Sequence, residues 1–542
     1  MRITRVAIKR WRSIKDLQFY PDDITVLVGP NNAGKTNILS AINFLLGDRW
    51  PMPANLEDSD FYAGDRTRDI EIRLELADAP ISCIDFNTGR GWPLEVYDNN
   101  GIQVRGFNND QRSKLAFAYV DAGRNFDRQF GMSRWSLFGQ AVRRLHDDLK
   151  GAGEGGPMAQ LRVVLDQAHG LLRTDLYQEF ETNIREAFAA QLRTAKFDVA
   201  FEFRTLDETN LYRGLYPTLI ERGRAKSPAE VGSGVRNLLV LALFQAFAKS
   251  FRGGAVLGIE EPELYLHPHA QRSLMAQFEI LAGQGNQIFV STHSAAFLDV
   301  TRSERIVIVD RCADEEEEVC TQARITSAPA LLHARQQLHP LQAMTDASRR
   351  AFLRSVRTNE MAEAFFARVV LVVEGASERE ALPILLRAAG LNLDEEGISI
   401  VVAGGKSPID TVAQLYMAHR IPVFVIFDND ASKPPADRAS NRTVCRLLGI
   451  PETDLPAAQV GDKFAILSED WESQMDRDLA EWPGWYAAQV QAARDALNIA
   501  PGRNKPLVAR YVAETIAALP YVPNFVGQIA ASLRKILGEL DP

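Results

Sequence analysis

The sequence predicts an α/β protein in two parts, with a block of helices set into the first. Three observations predict it. A glycine-rich turn, Gly29–Thr36, lies between an apolar run, Ile24–Val28, and a helix-like stretch, Asn37–Leu46. From Trp135 to Leu192 the apolar spacing becomes helical, over Trp135–Leu149, Met158–Leu172 and Tyr177–Leu192. Beyond residue 365, short runs rich in Val and Ile (Val369–Val373, Ser399–Val402 and Val423–Phe427) alternate with helical stretches such as Arg379–Ala389. That alternation is the mark of a buried parallel sheet.

The remaining elements follow in order. Met1–Leu17 reads as a strand and turn ahead of the glycine-rich loop. Ile70, Ile72, Leu74 and Leu76 alternate as in a strand. The first two helices of the block are separated by Gly151–Gly156, and Phe197, Val199, Phe201 and Phe203 alternate again after the third. The block is therefore an insertion, serving as an oligomer contact or as a packed cap. Asp314–Glu318 reads as a solvated acidic loop, and Leu331–Phe366 as a helical connector. These divisions place a first domain at 1–345, the insertion at 133–193, the connector at 346–366 and a second domain at 367–542.

Bulk properties bound the function. At 542 residues the chain is too long for one core. Hydrophobic residues make up 46% and charged residues 24%, as in soluble globular proteins. No apolar run reaches the roughly 18 residues of a membrane span. Met1–Val6 has no signal-peptide core, so cytoplasmic residence and no membrane partner are expected. Cys83, Cys312, Cys320 and Cys445 have no zinc-site spacing and are too few for a disulfide framework. A net charge of −9 argues against coating nucleic acid by bulk charge but leaves room for a local basic channel. Arg350, Arg354 and Arg357, with Arg349 beside them, fall at helical spacing and suit either such a channel or a solvated helix face.

The loop Gly29-Pro-Asn-Asn-Ala-Gly-Lys35-Thr36 has the spacing and the strand–loop–helix setting of a phosphate loop. Its glycines let successive N–H groups turn toward one anion, and the helix N-terminus adds partial positive charge. Gly29, Asn32, Gly34, Lys35, Thr36 and Asn37 are the expected ATP contacts. Lys35 reaches the β- and γ-phosphates, and the Thr36 hydroxyl holds Mg²⁺. Ala255–Ile259 is a buried-strand run ending in Glu260 and Glu261. In a phosphate-loop enzyme such a strand lies beside the loop, its first carboxylate supporting Mg²⁺ and its second orienting water. Another apolar run, Gln287–Val290, ends in Ser291-Thr292-His293-Ser294, where His293 can touch the γ-phosphate.

A second acidic constellation lies in the C-terminal half. The run Val369–Val373 ends in Glu374, with Glu378 four residues on, and Val423–Phe427 ends in Asp428-Asn-Asp430. Residues i and i+2 of a strand share a side, so Asp428 and Asp430 can face one metal. Neighbouring parallel strands would bring these ends together at the edge where α/β sheets place ligands. Oxygen ligands without Cys or His suit Mg²⁺ or Mn²⁺. Tyr416, a conceivable nucleophile, sits in a helical run and reads as packing.

Glu260-Glu-Pro-Glu-Leu-Tyr-Leu-His267-Pro, the Ser-Thr-His293-Ser run and Ile8-Lys-Arg-Trp-Arg-Ser-Ile14 resemble the ABC-type ATPases of chromosome maintenance and recombination. Val231-Gly-Ser233-Gly234-Val-Arg-Asn237 resembles a divergent signature motif of that group. The resemblance implies that Ser233 and Gly234 complete the ATP site of a partner subunit, hence a homodimer. Glu260 stands where Asp is usual and Val235 where Gly is usual, which keeps ATP binding and weakens the case for fast hydrolysis. The second constellation resembles the Toprim domain. An ABC ATPase followed by Toprim resembles the OLD-family (overcoming lysogenization defect) ATP-dependent endonucleases over nearly the whole chain.

That family implies further site residues: Asp470 and Glu472 as a late acidic pair, and Lys505 as the site lysine. With Glu374, Glu378, Asp428 and Asp430, the set becomes large enough for two divalent ions. Glu374, Asp428, Asp430 and Lys505 are then the residues expected to cleave DNA, and Glu261 the one expected to activate water for ATP hydrolysis. Phage defence or DNA repair is the implied setting, and any accessory protein is left unnamed. Two competing classes are a non-catalytic, ATP-gated DNA-binding or sensor protein and a topoisomerase-like strand passer.

Overall fold

A computed structural model of the chain describes residues 1–540, except 116, 134, 152–155, 192–214, 216, 251–253, 314–318 and 341–344. The alternating stretch Phe197–Phe203 and the acidic run Asp314–Glu318 lie outside the described residues.

The first half contains two sheets. One is antiparallel, in the order Ile14–Phe19, Arg2–Trp11, Glu71–Ala77, Cys83–Asn87, Leu94–Tyr97. The expected strand and turn at the N-terminus is thus a full hairpin, paired through Trp11 and Ile14. Alternation carries it: Ile72, Leu74 and Leu76 point inward and are buried. The other sheet runs Val319–Arg324, Ile306–Ala313, Ile24–Val28, Gln287–Ser291, Val256–Glu260, Phe117–Val120. Its pairings are parallel except that of Val319–Arg324.

The strand ending in Glu260 lies beside the phosphate loop, where Glu260 interacts with Thr36, without being next to the loop's own strand, because Gln287–Ser291 lies between them. All three strands are parallel, so their C-terminal ends still open on one edge. The gap is bridged by side chains rather than by adjacency.

The inserted helices are Leu137–Gly151, Pro157–Leu172 and Asp175–Gln191. Val163, Val164, Leu171 and Leu176 stand out from the last two, each more than half exposed.

The connector is built of helices Ala328–Leu338, Asp346–Val356 and Asn359–Glu363. Arg349 and Arg350 are not free to form a basic face, whereas Arg354 and Arg357 are exposed. Arg349 is buried and pairs with Glu304 and Asp346, and Arg350 pairs with the same two carboxylates. Arg357 lies beyond the helix end. Leu353, Met361 and Phe365 join a continuous apolar core that reaches from Ile24 and Ile259 to Val370 and Val425. Tyr416 lies in that core, its hydroxyl donating to the Met361 carbonyl at 2.8 Å, as its packing role requires.

The C-terminal sheet runs Ile398–Val402, Val369–Val373, Val423–Asp428, Phe464–Leu467, Gln459–Val460. The first four strands are parallel and the short last one antiparallel. Val369–Val373 and Val423–Asp428 are direct neighbours, with Val373 opposite Ile426.

Two cysteines also depart from expectation. Cys312 and Cys320 face each other across an antiparallel pair, Cα atoms 5.0 Å apart, and form a disulfide. Eight residues of separation carried no such signal in sequence; the hairpin register creates it. Among the described residues, no helix is long and apolar enough to cross a membrane.

Candidate active sites

The phosphate loop is held from behind by the strand pair Ile306–Ala313 and Val319–Arg324. Gly29 and Gly34 have φ of +152° and +106°. A Cβ would meet the Val309 carbonyl at the first and the Thr321 side chain at the second. Glycine is required there for backbone shape and for close approach. The Thr321 hydroxyl donates to the Ala33 carbonyl at 2.8 Å, and Arg311 Nε to the Asn32 carbonyl at 3.1 Å. The Asn37 carboxamide donates to Ser13 Oγ at 2.6 Å, tying the loop helix to the first hairpin.

Lys35 is buried, and its ammonium donates to the Gly29 and Pro30 carbonyls at 2.9 Å each. Burial lowers its pKa, against the upward pull of Glu261, Glu263 and Glu260. Glu260 is buried too. It accepts hydrogen bonds from the Tyr119 hydroxyl at 2.7 Å and from the Ala122 N–H at 3.3 Å, and it interacts with Thr36. Burial raises its pKa above the usual carboxylate range, and these bonds oppose the rise. Glu261 sits at φ 41°, a left-handed conformation costly for a side chain. Its N–H donates to the Ser291 carbonyl at 2.8 Å, and buried Arg124 donates to the Glu261 and Leu264 carbonyls. Glu263 accepts from the Thr292 hydroxyl at 2.9 Å and from the His293 N–H at 2.6 Å. Partial burial, then the Lys35 charge, lowers the His293 pKa.

Lys35, Thr36, Glu260, Glu261 and His293 therefore share one edge of the sheet. Tyr119, Arg124 and Glu263, which buttress them, were not picked out from sequence. Glu263 lies three residues after Glu260 in the same stretch, but nothing local marks Tyr119 or Arg124. Ser233 and Gly234 open the helix Ser233–Ser250, where Ser233 is exposed.

The second constellation lines one cleft of about 500 Å³, at the C-terminal ends of the parallel strands. Glu374, Glu378, Asp428, Asp430, Asp470, Glu472 and Lys505 all contribute to its wall. Glu374 follows the strand Val369–Val373, and its side chain accepts the Asp428 N–H at 3.3 Å. Glu378 lies in the first turn of the helix Ala376–Ala388 and is buried. Its pKa is pushed up to about 7 by burial and then by Glu374 and Glu472. Asp428 ends its strand and is pushed up to about 8, by burial first and then by Glu374 and Glu378.

Asp430 reaches the cleft for a different reason from the one expected. The strand stops at Asp428, and Asp430 sits in a turn at φ 52°. Strand alternation does not place it; the turn does. Its carboxylate pairs with Lys406 and Lys433, neither foreseen from sequence. Burial lowers the Lys406 pKa, while Glu374 and Asp428 pull it up. The available signal was Gly404-Gly405-Lys406 directly after a buried strand.

Asp470 caps the helix Trp471–Asp478, its Oδ1 accepting the Ser473 N–H at 2.8 Å. The residue thus caps a helix and also lines the cleft. Lys505 opens the helix Lys505–Ala517, with its ammonium 3.2 Å from Glu472.

Among the described residues, no three His, Cys, Asp or Glu side chains form a ready-made metal cage. The donor set nonetheless suits a hard cation. It is all oxygen, and Asp428 Oδ1 is buried without a hydrogen-bond donor. A buried carboxylate oxygen left in that state is costly unless a cation answers it.

Fold and sites together define a phosphate-loop ATPase joined to a Toprim domain, a pairing that uses a nucleotide and divalent metal. Comparison with known proteins agrees. The family described as AAA ATPase domain matches residues 1–133 and 108–298, and the family described as overcoming lysogenization defect protein-like, TOPRIM domain, matches residues 365–430. The chain is 29% identical over 466 residues to the OLD nuclease of Thermus scotoductus, covering 81% of this chain and 84% of that one. It is 22% identical to the Old nuclease of Escherichia phage P2, covering 79% and 77%, and 22% identical to endonuclease GajA of Bacillus cereus, covering 83% and 78%. The chain belongs to the AAA ATPase domain family and carries, at residues 365–430, an OLD-like Toprim domain.

Proposed function

We propose that the protein is an ATP-binding and ATP-hydrolysing, divalent-metal-dependent DNA endonuclease. The observation that carries this reading is the pairing of Glu374 and Asp428. They end adjacent parallel strands in one cleft, and the Asp428 Oδ1 atom lacks a donor. The names of the three relatives point the same way.

Glu374, Glu378 and Asp428 are the first candidates to hold Mg²⁺ or Mn²⁺, with Asp430, Asp470 and Glu472 as further ligands. Bound divalent ions supply a nucleophilic hydroxide and neutralise the leaving oxygen. Lys505, at the cleft mouth, offsets charge on the scissile phosphate. At the other site, Gly29, Asn32, Gly34, Lys35 and Thr36 hold the ATP phosphates, and Asn37 braces the loop from behind. Glu260 supports Mg²⁺, Glu261 orients water, and His293 meets the γ-phosphate.

The working form in this reading is a cytoplasmic homodimer. Ser233 and Gly234 are exposed enough to complete a partner's ATP site, and the apolar side chains of the inserted helices offer a second contact. Phage defence or DNA repair is the biological setting. The domain limits are 1–345 for the ATPase with its insertion at 133–193, 346–366 for the connector and 367–542 for the nuclease.

The test is nicking of supercoiled plasmid with Mg²⁺ or Mn²⁺, with and without ATP. Wild type should nick, and Asp428→Ala should not, while still binding ATP. Unchanged cleavage by Asp428→Ala overturns the assignment.

A further inference from the structure

Lys406 follows Ala403-Gly404-Gly405 at the end of strand Ile398–Val402, the neighbour of the strand that leads to Glu374. Gly404 and Gly405 have φ of +80° and +127°. Only glycine takes such angles without strain. The Ala403 N–H donates to the Val373 carbonyl and the Gly405 N–H to the Glu374 carbonyl, each at 2.9 Å. The turn therefore folds over the end of the adjacent strand and brings the buried Lys406 side chain against Glu374 and Asp430 of the cleft wall.

Lys406 is only 7% exposed. Its ammonium pairs with Asp430 Oδ2 and lies 4.0 Å from Glu374 Oε2. Lys433 pairs with Asp430 Oδ1 at 2.6 Å. Both Asp430 oxygens thus lie in ion pairs with ammonium groups, whereas among the described residues no ion pair reaches Asp428, although Oδ1 of each carboxylate lacks a hydrogen bond. The Lys406 ammonium is closest to Asp430 and Glu374, and its charge also reaches Asp428.

We propose that Lys406 is a built-in cation that fills one of two cation positions, so that the DNA-free site takes a single divalent ion on the Glu374–Asp428–Glu378 side. This rests on the metal-dependent reading of the cleft. Like charges this close need a cation between them. Between Glu374 and Asp430 that cation is already covalently attached. A second divalent ion there would displace a buried ammonium and leave it without a partner, which is strongly unfavourable. The second ion therefore waits for a new anion to take Lys406, and the phosphate of bound DNA is the anion the proposed substrate brings. Lys406 is in this sense a positioning residue that sets the order of metal loading.

The experiment is Mn²⁺ titration of the full-length chain followed by electron paramagnetic resonance, without nucleotide or DNA. Wild type should bind one Mn²⁺ that Asp428→Ala loses, with an uncoupled six-line spectrum. Lys406→Met and Lys406→Gln should bind two, with a spectrum broadened by coupling between the ions. Lys406→Arg should keep one. Thermal melts by circular dichroism verify that each variant is folded. Two coupled ions in wild type, or a single ion in both neutral variants, overturns the inference. The wild-type result alone decides if those variants do not fold. Absence of any Asp428-dependent Mn²⁺ would overturn the metal-dependent reading as well, which plasmid nicking tests separately.

Discussion

The Tyr119 hydroxyl donates to the Glu260 carboxylate at 2.7 Å, across the parallel pairing of strands Phe117–Val120 and Val256–Glu260. Glu260 is buried beside Thr36, so its charge depends on the few donors that reach it. Tyr119→Phe removes one of them with little change in volume. A buried group that loses a charged hydrogen bond costs about 1.5–3 kcal/mol. If that loss falls on the hydrolytic step, ATP turnover drops about tenfold or more. A steady-state phosphate-release assay at saturating Mg²⁺ measures it. Unchanged turnover would show that Ala122 N–H and Thr36 suffice to hold Glu260.

Lys35 and Glu261 should separate binding from hydrolysis. Lys35→Ala removes the buried ammonium beside the phosphate loop, and ATP affinity should fall by at least tenfold in calorimetry. Glu261→Gln keeps the shape of the strained turn that Arg124 braces but cannot take a proton from water. It should bind ATP as wild type does and hydrolyse it slowly. Wild-type turnover in Glu261→Gln would assign the water to another group.

What was legible in the sequence was mostly contiguous chemistry. The phosphate loop, the Glu260–Glu261 pair and His293 each sit in a few adjacent residues, and backbone geometry alone fixes what those residues can do. Glu374 and Asp428 were legible because each ends a run of buried Val and Ile. Relationships set by tertiary pairing were not. The strand between the phosphate loop and Glu260 depends on sheet order, which no local pattern encodes. By spacing alone Arg349 and Arg350 suit either a basic channel or a solvated helix face, yet their partner, Glu304, lies more than 40 residues away. Lys406 required two left-handed glycines and a particular neighbouring strand. Asp430 was placed in the right cleft by an argument about strand alternation that the turn at its position replaces.

Divalent ions should stabilise the folded chain through the second cleft. Asp428 and Glu378 are buried carboxylates, and ions that bind the folded state alone raise its stability by mass action. Mg²⁺ or Mn²⁺ without nucleotide should raise the melting temperature, and EDTA should reverse the shift. Asp428→Ala should lose most of the shift. A shift of wild-type size in Asp428→Ala would place the stabilising ion elsewhere.

The inserted helices should mediate a contact independent of nucleotide. Val164 is 59% exposed and Leu171 83% exposed. Both lie on the helix Pro157–Leu172, and apolar side chains left open in this way favour association. Val164→Glu with Leu171→Glu should weaken the dimer in sedimentation velocity at micromolar concentration without ATP. The same double variant should keep its secondary structure by circular dichroism, because neither side chain belongs to the core. A wild-type monomer with and without nucleotide would contradict the dimer altogether.

Asp470 and Glu472 each serve the local structure and the cleft, and these two functions can be pulled apart. Asp470 Oδ1 accepts the Ser473 N–H, so Asp470→Ala would lose a helix cap worth about 1 kcal/mol as well as a carboxylate in the cleft. Asn caps as well as Asp does, so Asp470→Asn removes only the charge. Glu472, 3.2 Å from the Lys505 ammonium, is its one identified ionic partner among the described residues, and Glu472→Gln should leave that lysine less restrained. If the pair serves metal and phosphate, Asp470→Asn and Glu472→Gln should each lower plasmid nicking by at least several-fold at an unchanged melting temperature. Together they should lower it further and weaken the second, DNA-dependent Mn²⁺ while the first stays bound to Asp428. Full nicking by the double variant would reduce Asp470 to a helix cap and Glu472 to a surface partner of Lys505.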